Sequence, residues 1–164
     1  MLKDKRAALF FFFMNLILLD FGNQIRLLSF HKEMMNFENA LFSIYHAKNL
    51  GSAFSLFENI ENSAYILSLL GVFAVVVIFY LVIKNVSFED KFLLLSLTLF
   101  SSGTLGNALE RFSNGYVTDY IKLNFINFPV FNAYDIMITI GCVLYIAFVL
   151  FQKDSKIEEN ENKN

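Results

Sequence analysis

The chain has 164 residues, a formal net charge of -2 and a mean hydropathy of +0.52, and 56% of its residues are hydrophobic. So apolar a composition excludes an ordinary soluble domain, and the near-neutral charge leaves no broad basic surface for nucleic acid. A single cysteine excludes an internal disulfide, and no Cys/His cluster has the spacing of a metal site.

Four apolar segments are long enough to cross a bilayer, which takes about 20 residues in helical form. They cover residues 7–28, 62–83, 92–109 and 136–152. The first follows three basic residues but lacks a small-residue cleavage site, so it predicts a retained signal anchor.

Basic residues flank the start of the first span, the connection between the second and third, and the end of the fourth. This pattern predicts that both termini are cytoplasmic. The last segment, residues 153–164, is polar, and we expect it to be a disordered cytoplasmic tail.

The two remaining connections, about 29–61 and 110–134, would then face outward. Residues 41–46 are rich in aromatic and β-branched side chains, which favours a short strand. In "GYVTDYIKL" an extended backbone puts Val117, Asp119, Ile121 and Leu123 on one face. We therefore predict an all-α membrane protein, with four transmembrane helices and a small extracytoplasmic β-rich cradle.

Three of the four predicted helices carry a polar stripe near their outer ends, and polar groups in a span usually face the bundle interior or water. We expect the stripes to converge on one partly hydrated pocket just beneath the outer surface. The stripes are Asp20, Asn23 and Gln24 in the first span; Gly103, Asn107, Glu110 and Arg111 in the third; and Asn132, Asp135 and Thr139 in the fourth.

Each of these residues also has a simpler interpretation. Asp135 can cap the fourth helix, and Asp119 can be a solvated loop acid. The Asp20 stripe can be an interhelical hydrogen-bond clamp, and Glu110 with Arg111 a weak surface ion pair. What favours a functional site is their convergence at one depth.

The order and spacing of four blocks resemble the lipoprotein signal peptidases (signal peptidase II), which are four-helix membrane aspartyl proteases. The two most specific blocks are "GNALERFSNGYVTDY", residues 106–120, and "FNAYD", residues 131–135. "NLGSAF", residues 49–54, and "DFGNQ", residues 20–24, supply the other two. The chain departs from the family pattern at Gln24, where the family has a basic residue, at Glu110 for Asp, and at Tyr134 for Ala.

The resemblance implies that Asp119 and Asp135 form a catalytic pair, two carboxyl groups that share one proton and activate water. It implies a single peptidase domain over residues 1–152. The supporting or substrate-binding residues that it implies are Asp20, Asn49, Gly51, Phe54, Asn107, Arg111 and Asn132.

The implied substrate is a prolipoprotein with a diacylglyceryl-modified cysteine, cut just before that cysteine. The implied place is the bacterial inner membrane, with the active site near its outer face. We expect a monomer in contact with membrane lipid, with no cofactor, no metal and no nucleic-acid partner.

Two other functions stay open from the sequence. One is a small transporter that uses Asp20, Asp119 and Asp135 as relay acids, although no span is visibly broken. The other is a non-catalytic membrane scaffold related to the peptidases, which the departures at Gln24, Glu110 and Tyr134 suggest.

Overall fold

The structure is a computed structural model and describes residues 3–35, 37–51 and 62–161. In chain order its elements are α1 (Lys5–Ser29), β1 (Phe42–Asn49), α2 (Ser63–Asn85), α3 (Lys91–Asn114), β2 (Val117–Leu123) and α4 (Ala133–Glu161). The prediction of four helices of membrane-span length with a small β element is confirmed.

Helix α3 lies at the centre of the bundle and packs against the other three helices. Half of the most apolar stretch of α3 is buried inside the protein, against 17% of the corresponding stretch in each of the other spans. Small polar residues permit this close packing and supply interhelical hydrogen bonds. Ser102 Oγ donates to Asn15 Oδ1 of α1 at 2.9 Å, and Ser68 Oγ of α2 donates to the carbonyl oxygen of Ala108 at 2.9 Å.

The start of α1 and the connection between α2 and α3 lie at the same end of the bundle. The backbone N–H of Lys3 donates to the carbonyl oxygen of Ile83 at 3.0 Å. Asp4 accepts from the backbone N–H of Phe88 at 2.9 Å and from that of Arg6, also at 2.9 Å, and so caps α1. These bonds hold the predicted cytoplasmic segments together.

At the other end, β1 and β2 form a two-stranded antiparallel sheet in which Ala47 pairs with Asp119 and Asn49 with Val117. The turn into β2 depends on Gly115, which ends α3 with a φ of 78°, a left-handed conformation that favours glycine. The predicted shared face of β2 is confirmed where Val117, Asp119 and Leu123 line one cavity.

His46 attaches the sheet to the end of α1. Its ring stacks on Phe30 with centroids 4.3 Å apart, and its Nε2 lies 3.0 Å from Ser29 Oγ. The Ser29 hydroxyl already donates to the carbonyl oxygen of Arg26 at 2.7 Å, so it accepts from a protonated Nε2 of His46.

The prediction of a disordered tail is wrong for residues 153–161, because α4 continues to Glu161. This segment contains several Lys and Glu residues, which have good helix propensity. It extends a helix that is already nucleated, and adding a turn is far easier than starting one.

Candidate active site

A cavity of about 1010 Å³ lies where the sheet meets α2, α3 and α4. Its polar wall is formed by Asn49, Asn107, Arg111, Asp119 and Asp135. Its apolar wall is contributed by α2, α4 and the segment before α4, and includes Leu67, Phe128, Phe131, Ile136 and Ile140. The cavity therefore combines a few converging polar groups with a large apolar surface, as ligand sites commonly do.

Asn132 joins the two aspartates of the cavity. Its Nδ2 donates to Asp119 Oδ1 at 2.8 Å, and its backbone N–H donates to Asp135 Oδ2 at 3.0 Å. One residue thus places both carboxyl groups, one from a strand and one from the start of a helix, in a single hydrogen-bonded group.

Asp135 occupies the first turn of α4 in a reciprocal capping arrangement. Asn132 Oδ1 accepts the backbone N–H of Asp135 at 3.0 Å, while Asp135 Oδ2 accepts the backbone N–H of Asn132. This is the geometry of a capping box, here with Asn and Asp in place of Ser and Glu. Capping and lining the cavity are therefore not alternatives, because the Oδ1 atom of Asp135 also accepts from Asn107 Nδ2 at 2.8 Å.

Asp119 is held from both strands. In the β1–β2 register Asn49 is a diagonal neighbour of Asp119 on the same face, and Asn49 Nδ2 donates to Asp119 Oδ2 at 3.0 Å. Only 4% of Asp119 is exposed. Burial, and secondarily the charge of Asp135, raise the pKa of Asp119 to about 6.

Arg111 ties the polar wall to the end of β1. Its Nη2 and Nε donate to the carbonyl oxygen of Gly51 at 2.7 and 3.2 Å, and the backbone N–H of Gly51 donates to Asn49 Oδ1 at 3.0 Å. Gly51 and Arg111 therefore hold Asn49 in place for Asp119. The predicted site residue Phe54 lies outside the described residues.

Asp20 is not brought to the cavity. It is exposed, and the hydrogen bond that the structure shows for its side chain is to Gln24 Nε2, at 3.5 Å. The polar stripes of α3 and α4 do converge, whereas Asp20 and Gln24 of α1 stay outside the cavity lining.

Tyr134 points away from the cavity, although it precedes Asp135. Its hydroxyl donates to the carbonyl oxygen of Leu19 at 3.0 Å. Its ring occupies the space between Gly22 of α1 and Gly106 of α3, where an added Cβ would overlap it. The larger side chain at this position is therefore accommodated between helices and adds no bulk beside the carboxyl group.

Two contacts of this region were not recognised from the sequence. Ala133 N–H donates to the hydroxyl oxygen of Tyr120 at 3.1 Å, and Glu110 Oε1 accepts the backbone N–H of Thr118 at 3.0 Å. Tyr120 and Thr118 are the chain neighbours of Asp119, and these contacts connect them to α4 and α3. No local sequence pattern indicates either contact, because each depends on how elements distant in the chain lie against one another.

Two close carboxyl groups that share a proton can act as general acid and general base on one substrate. Within residues 3–35, 37–51 and 62–161, no three His, Cys, Asp or Glu side chains come together as a protein metal site usually requires.

Comparison with known proteins identifies the family. The family described as Signal peptidase (SPase) II matches residues 12–151. A protein named lipoprotein signal peptidase from Streptococcus agalactiae is 35% identical over 120 residues, covering 73% of this chain and 75% of that protein. A protein of the same name from Enterococcus faecalis is 33% identical over 129 residues, 78% of each chain.

The fold also has a solved counterpart. A structure described as a bacterial membrane enzyme, determined by the in meso method at 2.3 Å resolution, superposes with a TM-score of 0.76. It covers 89% of this chain and 90% of its own, at 23% identity.

Proposed function

The chain belongs to the signal peptidase II family, and we propose that it removes the signal peptide from a diacylglyceryl-modified prolipoprotein, with water activated by Asp119 and Asp135. It is a protease and a multi-pass membrane protein. We propose that the cut falls just before the lipidated cysteine.

The observation that carries this proposal is the joining of Asp119 and Asp135 through Asn132 at the wall of a large cavity. Each carboxyl group raises the electrostatic cost of ionising the other, so the pair retains one proton to a higher pH than a free carboxyl group does, about 6 for Asp119. This is the state that acid–base hydrolysis of a peptide bond requires.

We assign the ionised form to Asp135 and the proton to Asp119. Asp135 accepts a backbone N–H and an amide N–H at the start of α4, where the helix dipole favours negative charge. The raised pKa of Asp119, about 6, supports this assignment of the shared proton.

In the first step Asp135 takes a proton from a water molecule as its oxygen bonds to the scissile carbonyl carbon, and Asp119 gives its proton to the carbonyl oxygen. In the second step the C–N bond breaks, the leaving nitrogen takes the proton from Asp135, and Asp119 recovers a proton from a hydroxyl of the intermediate. The pair returns to its starting state without a covalent enzyme intermediate.

The apolar wall suits a substrate whose acyl chains stay in lipid. Leu67 of α2 and Ile136 and Ile140 of α4 line the cavity. We propose that the scissile bond reaches the carboxyl pair from the bilayer side, while the diacylglyceryl chains rest against these residues. We also propose that both termini are cytoplasmic and the cavity lies near the outer face of the membrane; the basic flanks of the spans support this orientation.

We propose that Asn49, Asn107, Arg111 and Asn132 hold the pair in this arrangement, with Gly51 fixing the backbone beside Asn49. Roles for Asp20 and Phe54, and the monomeric state, stay predictions from the resemblance.

The test is cleavage of a prolipoprotein precursor by the purified protein in detergent micelles. We expect the diacylglyceryl-modified precursor to be cut before the cysteine and the unmodified precursor to be cut far more slowly. Chelation by EDTA should leave the rate unchanged. Equal rates on both precursors, or a cut elsewhere, would contradict the proposed substrate.

A further inference from the structure

Glu110 is a buried acid that the proposed mechanism does not use. Its side chain is 6% exposed, and its Oε2 atom is buried without a hydrogen-bond partner among the described residues. Its Oε1 atom accepts the backbone N–H of Thr118 at 3.0 Å and lies 3.8 Å from Nη1 of Arg26. A buried carboxylate is costly to maintain, so its place in the structure calls for a reason.

The contacts of Glu110 join three elements at one point. Glu110 lies near the end of α3, Arg26 near the end of α1, and Thr118 in β2. Arg26 is itself steadied by Asn23, whose Oδ1 accepts from its Nη2 at 3.1 Å. The nearest cation to Glu110 is thus on another helix, and not the adjacent Arg111, whose guanidinium bonds to Gly51.

Thr118 immediately precedes Asp119, and its N–H points away from the partner strand β1, towards Glu110. In an antiparallel pair, alternate N–H groups face the partner strand and the opposite side. The outward N–H of Thr118 is bound by Glu110, and that of Tyr120 by the carbonyl oxygen of Phe131 at 3.0 Å. Asp119 lies between these two attachments.

The two attachments have different origins. Phe131 directly precedes Asn132, so the bond to Tyr120 ties Asp119 to the segment that carries Asp135. The bond to Glu110 ties the other side of Asp119 to α3, which also supplies Asn107 to Asp135. Together they hold the backbone on both sides of Asp119.

We propose that Glu110, supported by Arg26, is a positioning residue that sets the separation of Asp119 from Asp135. The proposal rests on the function proposed above, because it concerns the same carboxyl pair. Glu110 does not touch the substrate and exchanges no proton in the reaction.

The experiment compares Glu110→Ala and Glu110→Gln with the parent in the lipidated-precursor assay. Glu110→Ala leaves the N–H of Thr118 without its acceptor, so we expect kcat to fall about 100-fold, the loss typical of a small misplacement, with KM little changed. Glu110→Gln keeps an acceptor oxygen and should retain kcat within about 3-fold.

The pH profile separates positioning from simple loss of stability. If Asp119 moves away from Asp135, the charge of Asp135 raises the pKa of Asp119 less. In Glu110→Ala, the fall of kcat/KM on the high-pH side of the profile should therefore begin at a lower pH. A variant that is only less stable would keep the parent profile.

Glu89→Ala is a matched control. Glu89 also faces an arginine, Arg6, at 3.6 Å, but at the opposite end of the bundle with its side chain 73% exposed. It should keep the parent kcat and pH profile.

Asp119→Asn, measured in parallel, distinguishes the two proposals. Parent-like activity in Asp119→Asn overturns the catalytic pair itself. An inactive Asp119→Asn together with a parent-like kcat and pH profile in Glu110→Ala overturns only the positioning role. If Glu110→Ala does not fold, Glu110→Gln and Arg26→Gln decide. Arg26→Gln should lower kcat and move the high-pH limb of the kcat/KM profile to lower pH, whereas Glu110→Gln should keep both. A large loss of kcat in Glu110→Gln, where the acceptor is kept, contradicts the proposal, as does a parent-like kcat and pH profile in Arg26→Gln.

Discussion

The ring of Tyr134 fits between α1 and α3 because residues 22 and 106 have no side chain. A Cβ added at Gly22 would lie 2.8 Å from Cδ1 and 2.9 Å from Cζ of the ring, and one added at Gly106 would lie 2.5 Å from Cζ. Carbon atoms pack at about 3.5–4.0 Å, so the ring would have to move by up to about 1 Å. It is confined from both sides, and its hydroxyl is bonded to the carbonyl oxygen of Leu19.

We therefore predict that Gly22→Ala and Gly106→Ala each lower the free energy of unfolding by about 1–3 kcal/mol through overpacking. Tyr134→Ala alone should cost about 3–5 kcal/mol, because it removes a large ring from a packed site. In the Tyr134→Ala background the added methyl groups occupy vacated space, and each glycine substitution should be neutral or stabilising. The coupling free energy between Tyr134 and each glycine position should therefore be about 1–3 kcal/mol.

The assay is unfolding of the purified variants in detergent, followed by a spectroscopic signal, as a double-mutant cycle. Gly71→Ala is a matched control, because its Cβ would meet Thr104 Cγ2 at 3.3 Å and not Tyr134. Its effect should be the same with or without the Tyr134 ring. If Gly22→Ala and Gly106→Ala destabilise both backgrounds equally, the explanation from ring packing is incorrect.

Three further predictions concern single groups. Since the pKa of Asp119 is raised to about 6, the pair loses its shared proton above that pH. We therefore expect kcat/KM to fall above about pH 6, and a kcat/KM that stays constant from pH 5 to 8 would contradict this. Asn132→Ala removes the side chain that donates to Asp119 and accepts the N–H of Asp135. We expect kcat to drop about 100-fold in the precursor assay, and retention of the parent rate would contradict the role of Asn132 in joining the two aspartates. Asp4 has a pKa lowered to about 2, chiefly by the N–H of Phe88, so its stabilising contribution is present above about pH 4 and lost as pH falls through about 2. Asp4→Asn should therefore lower Tm at pH 7 but not at pH 2, and an equal effect at both would refute the assignment.

The sequence predicted a feature correctly where the local pattern of residues is compatible with few structures. Long apolar runs determine helices in a bilayer, because the backbone there must bond within the segment. The alternation in residues 117–123 determined the face of Asp119, because side chains of a strand alternate strictly. Asn132 and Asp135 stand at the spacing of a capping box, and their reciprocal bonds could have been predicted from that spacing alone.

Contacts between distant segments could not be read in this way. Nothing local to Tyr134 indicates that its ring turns towards Gly22 and Gly106. The bond from Thr118 to Glu110 depends on the orientation of β2 relative to α3, which the turn at Gly115 sets. Likewise, a helical wheel groups Asp20 with Asn23 and Gln24, but the rotation of α1 about its own axis decides whether that stripe faces the cavity.

The most direct test of the central claim is the single-turnover rate of precursor cleavage by Asp119→Asn and Asp135→Asn, each compared with the parent at equal folded concentration. Each substitution keeps the size of the side chain and removes its ability to exchange a proton. We predict that each rate falls by at least about 10²–10⁴-fold, while Asp90→Asn, at the opposite end of the bundle, keeps the parent rate. Cleavage at the parent rate by both variants would show that these two carboxyl groups do not carry the reaction.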